Sequence, residues 1–182
     1  MTDPTSPDPA HGMSMRISPR LYFYEGGSSG RTSWFAALLS PQELAVAGGL
    51  PRAAVVGTTT MPGPLDPEFF LPNPLFTDLL QEVVSATALR VPEWRRAAVS
   101  HRTGRVSLWD GRAIRKLPED SRHDVLGKLR VRDARRVGYE ANPDYLPFSR
   151  NGLFALPQVV VDELLARLRE LRVAGPLLLG EH

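Results

Sequence analysis

The segment that decides the fold class is AAVSHRTGRVSLWDGRAIRKL, residues 97–117 of a chain of 182 residues. Apolar and polar residues alternate through much of it, and this period of two is typical of half-buried β-strands. Two turn signals, Thr103-Gly104 and Asp110-Gly111, divide it into strand-length pieces. The segment therefore predicts a three-stranded antiparallel meander, whose core residues are Val99, Val106, Leu108, Ile114 and Leu117.

The regions on either side of the meander predict further strands and two well-marked helices. RLYFYE (20–25), AAVVGTTTM (53–61) and VLGKLRVRD (125–133) have the aromatic and β-branched content of strands. Ser40, Pro41 and Glu43 form a capping box that starts a short helix, which Gly48-Gly49 ends. Asn73-Pro74 starts an amphipathic helix over residues 75–89, whose apolar face contains Phe76, Leu79, Leu80, Val83 and Thr87.

The clearest helix lies near the end of the chain. It begins after Pro157 and ends at Gly175-Pro176, and its apolar stripe contains Val161, Leu164, Leu165, Leu168 and Leu171. A last strand is predicted at 177–179. The whole pattern predicts an α+β fold in which an antiparallel sheet with a central meander packs against two to three amphipathic helices. We expect a disordered tail over residues 1–15 and one domain over 16–182, and no internal repeat is apparent.

Composition excludes several classes of protein. With 42% hydrophobic and 23% charged residues the chain is in the globular range. It has no apolar run long enough for a membrane helix, and its acidic, Pro-rich start is unlike a signal peptide. The chain has no Cys, which rules out disulfides and thiolate ligands. We therefore expect a cytoplasmic protein without a membrane partner.

Charge is distributed unevenly along the chain. Residues 90–136 hold 14 Lys+Arg against 6 Asp+Glu, a local balance of +8, whereas the whole chain has a net charge of +2. Such a basic block predicts an acidic partner. The predicted partner-binding residues are Arg102, Arg105, Trp109, Arg112, Arg115 and Lys116. The four arginines lie at or near turns of the meander, where we expect them to be solvated.

No motif in the sequence predicts catalysis, a metal site or a cofactor. The Gly-rich loop after Tyr24 places Glu25 where a phosphate-binding loop has its first Gly, and Arg31 where it has Lys, so we expect an ordinary strand-to-helix or hairpin loop. His101 and Ser100 would point to opposite faces of a strand. His123 lies in a polar turn, and the acidic residues around it lack the order of a calcium loop.

The C-terminal segment carries a family resemblance. LFAL (153–156) followed by PQVVVDELLARLRELRVAGPLLLGE (157–181) resembles the closing segment of a family of bacterial immunity proteins from polymorphic toxin systems. In that family a short strand with a phenylalanine leads into a leucine-rich helix, a small residue, Gly and an apolar strand. The resemblance implies a small cytoplasmic α+β protein that binds and silences a cognate toxin and has no catalysis of its own.

The sequence thus leaves three classes of function open, of which an enzyme with a diffuse active site is the third. The first is a non-catalytic protein-binding module that neutralises a toxin. The second is a nucleic-acid-binding protein that uses the basic block to contact phosphates, with Trp109 and Tyr139 available to stack on bases. Salt dependence separates the first two, because binding dominated by phosphate contacts weakens steeply with salt.

Overall fold

A computed structural model describes residues 15–26, 32–112 and 122–173. The chain forms four α-helices and eleven short strands within these ranges, and the α+β class predicted from the sequence is confirmed. The helices are α1 (Pro41–Ala47), α2 (Pro74–Thr87), α3 (Pro92–His101) and α4 (Gln158–Glu170). The strands are β1 (Arg16–Ile17), β2 (Tyr22–Gly26), β3 (Ser33–Ala37), β4 (Val55–Thr59), β5 (Leu71–Pro72), β6 (Gly104–Trp109), β7 (Val125–Arg132), β8 (Arg135–Ala141), β9 (Phe148–Ser149), β10 (Gly152–Leu153) and β11 (Leu156–Pro157).

Two antiparallel sheets organise the described residues. The first has the strand order β2-β3-β4-β5 and the second the order β6-β7-β8. Two smaller ladders, β1-β11 and β9-β10, fasten the segments around them. Helix α2 contacts β4 of the first sheet and β7 of the second, and α4 packs on α2. The buried apolar side chains of both sheets and of α2, α3 and α4 form one continuous core.

The predicted starts of the three helices are confirmed. The last helix ends earlier than predicted, at Glu170, because Leu171 has an extended backbone, and Gly175-Pro176 lies outside the described residues. Ser40 caps α1 and Glu43 bonds back to the Ser40 amide, which completes the capping box, and Gly48 ends the helix at φ 78°. Asn73 caps α2 by accepting the Leu75 amide. Burial follows the two predicted stripes, because α2 buries Phe76, Leu80 and Val83 and α4 buries Val161, Leu164 and Leu168.

The first part of the predicted meander is a helix instead. Residues 97–101 belong to α3, which starts with Pro92 at its first position and buries Trp94 and Ala98 at i, i+4 spacing. Five residues of mixed polarity fit both periods, so the pattern could not distinguish strand from helix there. Val99, which the sequence predicts to be in the core, is 54% exposed on the far side of this helix.

The three-stranded meander exists one segment further along the chain. Thr103-Gly104 joins α3 to β6 instead of closing a hairpin, and the true hairpin turn is Asp133-Ala134 between β7 and β8. Both turn residues have positive φ, 51° and 60°, as a two-residue hairpin turn requires. Val106 and Leu108 are buried as predicted. The predicted core residues Ile114 and Leu117, the tail before residue 15 and the last strand at 177–179 lie outside the described residues.

The two sheets share one local construction, which corrects the expectation that the chain has no internal repeat. In each sheet the pairing register shifts by one residue near the end of a strand, at Ala36/Ala37 of β3 and at Leu108/Trp109 of β6, where the partner strand has one extra residue, Val56 or Leu126. In each case a 3-10 turn, at 52–54 or 122–124, leads into a strand that contains a Gly, β4 or β7. An Asn-Pro pair follows the strand that pairs with it, β5 or β8. We call residues 33–76 the first unit and residues 104–145 the second unit.

Hydrogen bonds of the two Asn side chains establish the equivalence. Asn73 Nδ2 donates to the carbonyls of Arg52 and Val55, at 2.7 and 2.6 Å. Asn142 Nδ2 donates to the carbonyls of Arg122 and Val125, at 2.8 and 2.7 Å. The repeat is also visible in the sequence. The motif Arg-x-x-Val-(Val/Leu)-Gly occupies residues 52–57 and 122–127. An aromatic residue, two further residues and Asn-Pro follow it at 70–74 and at 139–143.

Candidate functional site

The exposed side of the second sheet brings together part of the predicted binding residues. Arg105 and Trp109 lie on β6 and point away from the core, because Val106 and Leu108 between them are buried. The Arg105 side chain is 65% exposed and Trp109 is 42% exposed. These two of the six predicted residues lie on one open surface.

The sequence analysis missed the cations that complete this surface. Lys128, Arg130 and Arg132 alternate with buried Leu129 and Val131 along β7. Arg130 is paired with Arg105 across the strands, and Arg132 with Arg135 of β8. The signal was visible in KLRVR, because strict alternation of cations and apolar residues in a strand puts every cation on one face. We call Arg105, Trp109, Lys128, Arg130, Arg132, Arg135 and Glu140 the basic face.

Glu140 lies at the centre of the basic face and contacts two of its arginines. Its two carboxylate oxygens lie 3.3 Å from Arg105 Nε and 3.5 Å from Arg130 Nε. Both contacts use Nε, and both arginine side chains are more than half exposed. Gly138 lets Arg130 lie flat on β8, since a Cβ at this position would come within 2.4 Å of Arg130 Nη2. Glu140 therefore holds both arginines, and Gly138 makes room for the guanidinium group of one of them, Arg130.

Arg112 is not a surface residue, which corrects the prediction that it is solvated. Arg112 is only 7% exposed, and its guanidinium group contacts Asp110 at 3.1 Å and Asp124 at 3.3 Å. The prediction was wrong because a cation near a turn was taken to face water, whereas here two buried carboxylates hold it inside. Its remaining N–H groups donate to the carbonyls of Leu146 and Gly152 and, at longer range, Pro147, and to Ser149 Oγ.

The carboxylates around Arg112 are themselves fully used. Asp110 accepts hydrogen bonds from the Tyr145 hydroxyl at 2.9 Å and from the Ala155 amide at 2.8 Å. Asp124 accepts from Ser149 Oγ at 3.2 Å and from Asn151 Nδ2 at 2.5 Å. Burial raises the pKa of Asp110 above its ordinary value, while the Arg112 guanidinium opposes that shift. We call Asp110, Arg112 and Asp124 the buried clamp, because it fixes the segment 146–152 to the second unit.

The other predicted binding residues lie elsewhere. Arg102 caps α3 with φ 52°, and its carbonyl accepts the amide of Ala134 from the β7–β8 turn. Its side chain is exposed but is not on the basic face. Arg115 and Lys116 lie outside the described residues.

The two histidines within the described residues make local contacts. His101 Nδ1 lies 3.0 Å from the Ala97 carbonyl within α3, so the expected strand around Ser100 and His101 is wrong. His123 Nδ1 lies 2.7 Å from the Asp144 carbonyl, and its Nε2 accepts from Arg122 Nε at 3.2 Å. In the described ranges no group of three or more His, Cys, Asp or Glu is arranged to hold a metal ion.

The Gly-rich loop joins two strands. β2 pairs antiparallel with β3, which makes the segment between them a hairpin loop, one of the two forms expected from the sequence. A phosphate-binding loop instead leads from a strand into a helix N-terminus. Residues 27–31 themselves lie outside the described residues.

Among the described residues no helix has both the length and the apolar character needed to cross a membrane. Comparisons of the chain with protein-family models, with curated proteins and with solved structures found no match. The basic face and the buried clamp are therefore interpreted from their own geometry.

Proposed function

We propose that the protein is a non-catalytic binding module that holds a protein partner on the basic face. The observation that carries this proposal is the exposed arrangement of Arg105 and Arg130 around Glu140, with Trp109 on the same surface. Arginine and tryptophan are enriched among the residues that dominate protein interfaces. Exposed guanidinium groups bind carboxylates well, so the fitting partner is a protein with an acidic surface.

The mixed charge of the basic face favours a protein over a nucleic acid. Glu140 lies among the arginines, where its carboxylate would repel a phosphate backbone. A protein partner can place both carboxylates against the arginines and a cation or hydrogen-bond donor against Glu140. Complementarity of both signs is what sets specificity in protein interfaces.

The finer form of the proposal is that the partner is a toxin and that the protein neutralises it in the cytoplasm. Its support is the resemblance of residues 153–181 to the closing segment of bacterial immunity proteins. A toxin with an acidic surface would suit the basic face, and occupying that surface is sufficient for neutralisation without chemistry by the binding module.

A second candidate function is binding of single-stranded nucleic acid. One observation favours it: Lys128, Arg130 and Arg132 form a straight row along β7 at two-residue spacing, about 6.6 Å apart. A row of cations beside an exposed aromatic ring is the arrangement with which such proteins follow a phosphate backbone and stack a base. Trp109 supplies the ring.

The experiment compares two triple variants with the same change in charge. Arg105, Arg130 and Arg132 are changed to Ala on the basic face, and exposed Arg52, Arg95 and Arg172 are changed to Ala elsewhere. Proteins retained from a nuclease-treated lysate of the source cells are identified, produced in recombinant form and titrated against each variant. We expect the basic-face variant to lose affinity by about tenfold or more and the control to keep it.

Two results would redirect the proposal. Equal affinity of both triple variants for the recombinant partner would show that the partner does not bind on the basic face. If no protein is retained, but a labelled oligothymidine binds and its affinity falls steeply between about 50 and 200 mM salt, the nucleic-acid function replaces the protein-binding one.

A further inference from the structure

A pocket of about 300 Å³ lies at one end of the second sheet, beside the basic face, and we call it the end pocket. Lys128 and Glu140 belong to both, and Val125 of the pocket lies directly opposite Trp109 on the outer side of the sheet. Its volume is at the lower limit of ligand sites, which suits a single side chain. The lining consists of Arg122, Val125, Gly127, Lys128, Glu140, Ala141, Asn142 and Pro143.

Lys128 is the cation of the end pocket that makes no ion pair within the described part of the chain. Its side chain is exposed on β7, and Glu140 lies directly opposite it on β8. The carboxylate of Glu140 instead contacts Arg105 and Arg130. The ammonium group of Lys128 is therefore available to an anion that comes from outside the chain.

The end pocket carries more positive than negative charge. Arg122 lines it together with Lys128, and Arg122 Nε donates to Nε2 of His123, a residue outside the lining, at 3.2 Å. Glu140 is the one carboxylate among the lining residues, and two arginines from outside the lining hold it. An anionic group is therefore the complement of this pocket.

Asn142 fixes one wall of the end pocket. Its Nδ2 donates to the carbonyls of Arg122 and Val125, and its Oδ1 accepts the Asp144 amide at 3.1 Å. Pro143 follows it with a restricted backbone. Because the Asn142 side chain is used within the wall, the wall is formed before a ligand binds, which lowers the entropic cost of binding.

The repeat shows that the charges of the end pocket are specific to the second unit. Lys128 and Glu140 are paired across the strands, and the matching pair in the first unit is Thr58 and Leu71. The first unit therefore forms this part of the sheet without charged side chains, and folding does not require Lys128. Five other lining residues recur in the first unit, as Arg52, Val55, Gly57, Asn73 and Pro74.

We propose that the end pocket binds a carboxylate side chain of the protein partner, an inference that rests on the function proposed for the basic face. The carboxylate lies at Lys128, and Arg122 adds to the positive charge around it. The aliphatic part of the side chain lies on Val125 and Pro143. Side chains that fill a pocket of the other protein are typical hot spots of interfaces.

The probe is N-acetylglutamic acid amide, which has one carboxylate on an aliphatic stem. It is titrated into the full chain at constant ionic strength and followed by amide chemical shifts. N-acetylglutamine amide, which has the same shape without the charge, is the control. We expect saturable binding of the probe with a dissociation constant of about 10 mM, with shifts at Gly127, Lys128 and Ala141, and binding at least about tenfold weaker for the control.

Two variants separate the end pocket from general charge attraction. Lys128→Thr installs the matching residue of the first unit, and we expect it to weaken probe binding about tenfold or more. Arg52→Ala, which removes one cation at the matching place of the first unit, should leave probe binding unchanged. Unchanged urea midpoints confirm that both variants are folded.

Three results of the probe titrations would overturn the proposal. They are a probe that does not saturate, a glutamine control that binds equally well, and an Arg52→Ala variant that weakens binding as much as Lys128→Thr. Dimethyl phosphate, which has the charged group of a nucleic-acid backbone, is titrated in parallel. If it binds more tightly than the probe, the pocket is a phosphate site and the proposal is also overturned.

Titration of the recombinant partner separates this inference from the proposed function. We expect Lys128→Thr to weaken partner binding about tenfold. If the triple variant of Arg105, Arg130 and Arg132 loses the partner while Lys128→Thr keeps it, the basic face binds the partner and the end pocket does not. If Lys128→Thr loses the partner while the triple variant keeps it, the end pocket stands and the function proposed for the arginines fails.

Discussion

At the scale of the residue, Arg112 shows that the position of a cation in the sequence does not determine whether its side chain is buried. In sequence it is one cation among many in a basic block, but its guanidinium group lies against two buried carboxylates and the carbonyls of a distant segment. The low polarity around it makes each unpaired group costly. Removing the cation alone is therefore a different change from replacing the whole buried clamp.

We expect Arg112→Ala to lower the free energy of unfolding by about 3 to 5 kcal/mol, because Asp110 and Asp124 are left without compensation. The Leu38 amide donates to the Ala54 carbonyl in the first unit as the Asp110 amide donates to the Asp124 carbonyl in the second, so Leu38, Ser40 and Ala54 occupy the places of Asp110, Arg112 and Asp124. The triple change Asp110→Leu, Arg112→Ser, Asp124→Ala installs these residues of the first unit. Its stability should lie between those of Arg112→Ala and the wild type, since no buried charge remains. Urea unfolding measures both variants, and a triple variant less stable than Arg112→Ala would contradict this account.

At the scale of the element, α1 depends on a residue that also reaches another helix. Glu43 accepts the Ser40 amide at 2.8 Å within the capping box and contacts Arg169 Nε of α4 at 2.7 Å. Partial burial acts to raise the pKa of Glu43, but the hydrogen bonds of the Ser40 amide and Arg169 outweigh it and hold the pKa below its ordinary value of 4.5. One carboxylate thus caps α1 and joins it to α4.

The lowered pKa of Glu43 predicts how stability depends on pH. Because the folded state binds the proton less tightly than the unfolded state, the carboxylate stabilises the fold above pH 4.5, and this contribution is lost as the pH falls through the folded-state pKa. We expect Glu43→Gln to be less stable than the wild type at pH 7 and to approach it as the pH falls below 4.5 and through the folded-state pKa. Urea midpoints measured across this range provide the check, with exposed Glu82→Gln as the control. A constant difference at all pH values would show that the charge of Glu43 is not responsible.

At the scale of the whole molecule, the chain builds two sheets from one repeated plan and joins them through α2. Gly57 and Gly127 occupy equivalent places in the two units, each beneath the aromatic residue of the next strand. A Cβ at Gly57 would lie 2.4 Å from the Phe70 ring and 2.5 Å from the Leu71 carbonyl, and one at Gly127 would lie 2.5 Å from the Tyr139 hydroxyl and the Glu140 carbonyl. The plan requires glycine at both places.

The repeat predicts matched effects of matched substitutions. We expect Gly57→Ala and Gly127→Ala each to lower the free energy of unfolding by about 1 to 3 kcal/mol, because a backbone carbonyl and a packed ring must move. Thr58→Ala and Lys128→Ala, at the next and less buried position of each unit, serve as controls with changes within about 0.5 kcal/mol. Denaturant unfolding gives all four values. A loss at only one of the two glycines would mean that the two units are not built alike.

The sequence by itself determined what depends on neighbours a few residues apart. The capping box of Ser40 and Glu43, the cap at Asn73, and the apolar stripes of α2 and α4 rest on contacts within one or two helical turns. All are present in the structure, except that Leu171 lies beyond the end of α4. The alternation in KLRVR also predicts that the cations of β7 share one face. Only the strand pairing shows that Arg105 of β6 lies opposite Arg130 and extends this face.

The tertiary structure alone decided which polar residues are buried and how the units correspond. Arg112 finds its carbonyl partners 34 to 40 residues away, and Asp124 reaches Ser149 and Asn151 at separations of 25 and 27. No local pattern encodes such partners, because a cation beside a turn has the same sequence environment whether it meets water or a buried carboxylate. Residues 97–101 became a helix for the same reason: their period was ambiguous, and packing of Trp94 and Ala98 against the second sheet settled it.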